Sequence, residues 1–171
     1  MEIFLTSDTH FGHKNIIRYC DRPFSSVEEM NECLVKNWND KVGRNDVVWH
    51  LGDFCWYRKT IMDIVPRLNG KIKLVFGGHD YSYLNFYRKY KNVEVCMPLV
   101  VEKIDDCVIV LCHFQLISWE KKNYGSYHFY GHAHGNSVPI HNSFDVGVDV
   151  NQFRPLSLSE AIEKAGFVSE Q

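Results

Sequence analysis

The chain has 171 residues, 45% of them hydrophobic and 23% charged. Those values exclude disordered, collagen-like and fibrous classes, and the length fits one domain with a substantial core. Nineteen Lys and Arg against 21 Asp and Glu give a formal charge of −2, which argues against a broad basic surface for duplex nucleic acid.

In chain order, Ile3, Phe4 and Leu5 form a short apolar run that predicts a buried strand. A helix is predicted from Ser26, where Ser26 and Glu29 match a capping box. Val27, Met30, Leu34, Val35 and Trp38 then recur every three or four residues and give one apolar stripe. Strands are predicted at 47–49 and 72–76, separated by a helix over 60–68 whose end Pro66 blurs. Another helix is predicted near 83–90. Apolar runs at 99–101 and 108–111 flank Asp105-Asp106 and predict a hairpin. Short strands follow at 127–130 and 144–148. The last helix starts at Ser157, is capped with Glu160, and stops at Gly166. Early strands alternate with helices and later strands follow one another directly, so a mixed α/β sandwich with helices outside is expected.

The polar residues fall at the ends of these strands. Asp8-Thr9-His10 follows the first, and Gly52-Asp53 follows the second. Gly77-Gly78-His79-Asp80 follows the third, His113 the strand over 108–111, and Gly131-His132-Ala133-His134 the next. In open α/β sheets, ligands bind beyond the carboxyl ends of the strands, so these residues are expected to converge on one rim. Carboxylate and imidazole together suit Zn, Mn, Fe or Ni. A lone His is more often a satisfied core residue than a ligand. Five strand-end motifs in order are much harder to obtain by accident. Two Asp and four His exceed the needs of one tetrahedral zinc, which favours two ions. A pair of divalent ions lowers the pKa of a shared water and neutralises phosphate oxygens, so phosphoryl chemistry is the expected use.

The order DxH, GD, GxHD, H, GHxH resembles the calcineurin-like metallophosphoesterases. The segments at 6–13, 50–54 and 146–149 are similar to the small single-domain branch found in bacteria and phages. That resemblance implies a four-layer α/β/β/α sandwich with two divalent metal ions, Mn foremost, with Fe, Ni or Zn as alternatives. It implies that Asp8, His10, Asp53 and His134 hold metal one. Asp53 would bridge to metal two, which His113 and His132 complete. A metal-bridging hydroxide would be the nucleophile, and His79 would act at the leaving oxygen. Two departures stand out. Gly78 occupies the position of the usual Asn ligand, and Trp56 stands where many relatives carry an Asp that pairs with the catalytic His. Asp80 is the candidate to orient His79 instead.

Outside the motifs, His13 is a candidate phosphate contact or a helix-start His, and His50 a packed supporting group. His128 and His141 receive no role. Phe54, Trp56, Tyr57, Tyr81, Tyr83, Trp119 and Tyr124 cluster near the proposed rim in sequence, and Trp56, Tyr81 and Gly78 are the candidate substrate contacts. Arg22, Arg58 and Arg154 are candidates to bind a second phosphate or a carboxylate by bidentate pairing, or for plain surface solvation. No run approaches the roughly 18 apolar residues of a membrane span, and the N-terminus lacks the features of a secretion signal. Six cysteines without a CxxC pair read as reduced, mostly buried thiols in the cytoplasm. The expected activity is a phosphodiesterase on a nucleotide-like or cyclic-nucleotide substrate. A low-turnover metal- or nucleotide-binding protein of the same fold is the alternative, motivated by Gly78.

Overall fold

The computed structural model describes residues 1–167. Among the described residues nine strands form two sheets, and the first has the order β4-β3-β2-β1-β9. In it β1 (Ile3–Thr6), β2 (Val47–His50), β3 (Lys71–Leu74) and β4 (Val93–Val95) run parallel, and β9 (Leu156–Ser157) is antiparallel. The second sheet, β5-β6-β7-β8, joins the antiparallel pair β5 (Leu99–Ile104) and β6 (Cys107–Cys112) to parallel β7 (Tyr127–Tyr130) and β8 (Ser143–Asp145).

The alternation of side chains along each strand builds two cores. Phe4, Val48, Ile72 and Leu74 face the helices α1 (Lys14–Tyr19), α2 (Val27–Lys41), α3 (Arg58–Ile64) and α4 (Leu84–Tyr87). Leu5, Trp49, Ile109, Leu111 and Phe129 belong to a second cluster, formed between the sheets and closed by Ala161 and Ala165 of α5 (Leu158–Gly166). The expected mixed α/β sandwich is present. Its outermost layer, over the second sheet, is thin: Trp119 packs against His128 at 5.3 Å, next to a 3-10 turn at Lys122–Tyr124.

Several boundaries differ from the expectation. β4, β9 and the six-residue α1 carry too little periodicity to be read from sequence. α3 begins two residues before Thr60, and Pro66 sits in the 3-10 turn that ends it. The strand expected at 144–148 ends at Asp145, because Gly147 leaves the sheet to bridge Ser7 across to the first one. At α2 the capping box is half formed. Ser26 accepts from the Glu29 N–H, but the Glu29 carboxylate reaches Ser25. The box at Ser157 and Glu160 is complete. All six cysteines are free; Cys55 and Cys112 are buried and the other four are half-buried rather than enclosed.

Candidate metal centre

The parallel order of β1, β2 and β3 sends their carboxyl ends to one rim. The parallel order of β6 and β7 sends theirs to the same rim from the other sheet. The loops are stitched to one another by backbone hydrogen bonds. Asp8 N–H donates to the Gly52 carbonyl, His10 N–H to Asp53, and Gly131 N–H to His113, each at 3.0 Å. One carboxylate oxygen of each acid is held by another motif's backbone: Asp8 Oδ2 accepts from His132 N–H at 2.9 Å, and Asp53 Oδ1 from His79 N–H at 3.1 Å. Glycine is needed where these loops cross. A Cβ on Gly131 would clash with Ser7 Oγ and Asp8 Oδ2, and one on Gly77 with Asp53 Oδ1.

Five of the candidate ligands adopt left-handed backbone: Asp8, His10, Asp53, His132 and His134, with φ of 56°, 48°, 54°, 67° and 47°. Each such residue costs roughly 1–2 kcal/mol over its ordinary conformation, and strain of this kind gathers at functional sites. The turns aim the side chains inward. The second oxygen of Asp53 becomes a hub, 3.6 Å from His10 Nε2, 3.7 Å from His79 Nε2 and 3.5 Å from His113 Nε2. Two ligand atoms each about 2.1 Å from a common ion at a tetrahedral angle lie about 3.4 Å apart. Asp8 Oδ1, His10 Nε2 and His113 Nε2 are buried and make no hydrogen bond. Buried polar atoms are normally paired, so this trio calls for a partner that is not a protein donor or acceptor. Asp8, His10 and His134 offer ligand atoms within one ion's reach, and Asp53, His113 and His132 do so beside them. The donor set therefore fits borderline-hard divalent metal.

Electrostatics agree with that fit. Burial pushes Asp8 up to about 7 and His10 down to about 2. Burial would also raise Asp53, but His113 and His10 hold it below the usual carboxylate range. Burial would lower His113, but the Asp53 and Asp8 carboxylates raise it to about 9. Two carboxylates facing one cavity thus seek positive charge, and a protonated imidazole is the cation the protein itself can offer.

The supporting groups were only partly visible in the sequence. His134 Nδ1 donates to Asp149 Oδ2 at 2.6 Å, which leaves Nε2 for the centre. Asp149 in turn receives a two-pronged Arg22 pair, Nε at 2.7 Å and a terminal nitrogen at 2.8 Å. Arg22 also donates to the Asp8 and Thr9 carbonyls. It is 4% exposed, so the solvated surface role does not hold for it, and the bidentate partner it takes is the Asp149 carboxylate. Arg58 lies over the Phe86 ring instead. His50 is a packed supporting group, as expected. Its Nδ1 accepts from Gly52 N–H, Nε2 donates to Thr9 Oγ1, and Thr9 donates to the Phe54 carbonyl. Asp80 accepts N–H bonds from Asp53, Phe54 and Gly77, so it shapes the loops rather than orienting the His79 ring.

The position of Trp56 takes on a different role from that of an acid. Its ring stacks flat on His13 at 3.7 Å and 6°, and lies 4.4 Å from His79. Tyr81 is exposed and touches Phe76 edge-on rather than the centre. Phe54 and Trp119 are buried packing residues, not rim. Phe114, unmarked in the sequence reading, packs against both His113 and His132. Only its place beside His113 could have drawn attention to it. Gly78 is exposed, and a Cβ there would meet nothing within 4 Å.

A family model described as calcineurin-like phosphoesterase matches residues 1–147. The chain belongs to that family. Membership makes it a metal-dependent phosphoesterase, in keeping with the donor set above. The uncharacterized protein MJ1445 of Methanocaldococcus jannaschii is 36% identical, over 98% of this chain and 94% of its own length. The Gene 66 protein of Mycobacterium phage L5 is 24% identical over 85% of this chain and 86% of its own length. A solved structure, the protein AQ665 of unknown function from Aquifex aeolicus, has the same fold, with a TM-score of 0.72 at 20% identity over 95% of this chain and 98% of its own. Among the described residues, no helix is long and apolar enough to cross a membrane.

Proposed function

We propose that this metallophosphoesterase is a phosphodiesterase acting on a nucleotide-like or cyclic-nucleotide diester. The observation that carries the reading is the set of buried, unpaired ligand atoms on Asp8, His10 and His113 around the Asp53 hub. In this reading Asp8, His10, Asp53 and His134 hold one ion, and Asp53, His113 and His132 hold a second. Bound there, divalent ions, two in this reading and Mn foremost, would supply the charge that neutralises phosphate oxygens and lowers the pKa of a bound water. His79, half exposed with Nε2 toward Asp53, stands at the leaving oxygen and supplies its proton. His13 is held against Trp56 on the same side and contacts a phosphate oxygen. Asp149 fixes the His134 tautomer, and Asp80 fixes the loop that carries His79. The groove beside His79 leaves room for a diester's second substituent.

Gly78 favours a second reading, a low-turnover metal- or nucleotide-binding protein, because it removes the side chain that would complete the second ion. The test is Mn²⁺-dependent turnover of bis(p-nitrophenyl) phosphate by the protein and its Gly78→Asn variant. Turnover that rises about ten-fold with Asn, equivalent to about 1.4 kcal/mol, supports an enzyme with a weakened second ion. Equal turnover supports an enzyme in which water replaces the amide. No turnover by either, with Mn²⁺ bound, favours the binding protein.

A further inference from the structure

Beside the centre runs a groove of about 320 Å³, lined by Trp56, Tyr57, Gly78, His79, Ser82 and Tyr83. We propose that this groove is the leaving-group subsite and takes an aromatic or heterocyclic ring attached to the departing oxygen. The inference rests on the phosphodiesterase reading, because His79 gives the groove its direction. His79 is both a wall of the groove and the group placed at the leaving oxygen, so whatever hangs from that oxygen enters here.

The chemistry of the walls selects the ligand. Trp56, Tyr57 and Tyr83 supply ring faces and edges, and Trp56 and Tyr57 stand perpendicular at 87°. Aromatic walls of this kind stack flat rings with little preference among them. The Trp56 indole cannot swing away without giving up its flat stack on His13. Gly78 contributes to the space itself, since no atom lies within 4 Å of where its Cβ would stand. Among the described residues no Lys or Arg lines the groove, so a second phosphate on the leaving group has no cationic partner from either there. The volume lies at the lower end of the roughly 300–1,000 Å³ of small-ligand sites, enough for one ring system.

The test uses two diesters with the same leaving group, methyl p-nitrophenyl phosphate and thymidine 5′-(p-nitrophenyl phosphate). The wild-type protein is compared with Ser82→Trp, which fills the groove from an exposed position. Mn²⁺ uptake by equilibrium dialysis and inhibition by free p-nitrophenol are measured alongside. The expected result is a KM raised about ten-fold for both esters in Ser82→Trp, with kcat changed much less. Inhibition by p-nitrophenol weakens in parallel and Mn²⁺ uptake is unchanged. A KM raised for the thymidine ester alone overturns the proposal, because the groove then holds the retained ester. So does a KM unchanged for both. Failure of the wild-type protein to turn over either ester with Mn²⁺ bound overturns the phosphodiesterase reading itself and takes the leaving-group assignment with it.

Discussion

Two sets of histidines in this molecule obey opposite rules. His50 in β2 and His128 in β7 sit in regular strands, fully buried, with both ring nitrogens hydrogen-bonded. His10 sits one loop beyond β1 in a left-handed turn, and His113 sits just past β6; both are buried with Nε2 unpaired. The first pair is what packing selects for, since an unpaired buried polar group is costly. The second pair is tolerated only because it serves something outside the chain. A buried histidine by itself therefore indicates nothing, whereas one with an unpaired nitrogen facing the Asp53 hub marks the site.

The sharpest way to break this comparison is to remove the hub. Asp53→Asn is expected to lower Mn²⁺-dependent phosphodiester turnover by on the order of 1,000-fold, about 4 kcal/mol of transition-state stabilisation. Its metal-free fold is expected to persist by circular dichroism. Turnover within ten-fold of wild type would sink the two-ion arrangement. Next in size is Arg22→Ala, which leaves the buried Asp149 carboxylate without its cation. Such a break costs about 3–5 kcal/mol, read as a lowered urea midpoint at an unchanged slope. A drop under 1 kcal/mol would mean that His134 alone satisfies Asp149.

The core pair makes a prediction of its own through pH. Burial holds His128 at about 4, below its ordinary 6.5. Between those values the unfolded chain binds a proton that the folded chain refuses, so stability is present above pH 6.5 and lost on acidification toward 4. The full effect is about 3 kcal/mol, and His50, held at about 3, adds to it in the same direction. In metal-free protein, His128→Gln should flatten that acid limb of a Tm-against-pH profile. An unchanged slope would mean that His128 titrates normally. Smallest is Trp56→Ala, which removes the stack under His13. Turnover should fall about ten-fold with Mn²⁺ uptake intact, and loss of metal instead would place His13 in the wrong role.

The motifs themselves were legible because strand-end chemistry is local. An apolar run followed by Asp-x-His or Gly-Asp can be read without knowing what lies opposite. The same holds for the long amphipathic helix α2, the hairpin β5–β6 and the complete cap at Ser157. Short elements such as α1 and β9 were not legible, since their stability comes from neighbours rather than from their own pattern.

The amino-acid sequence alone determined which side chains could form the centre, and that they would gather at one rim of an α/β sandwich. Only the tertiary structure decided which groups stand behind them. Arg22 meets Asp149 across 127 positions, and Asp80 meets the Asp53 loop across 27. Trp56 fills an acid's place by stacking on His13. These pairings depend on which loops a fold brings within hydrogen-bond or ring contact, and periodicity along a chain carries no record of that distance.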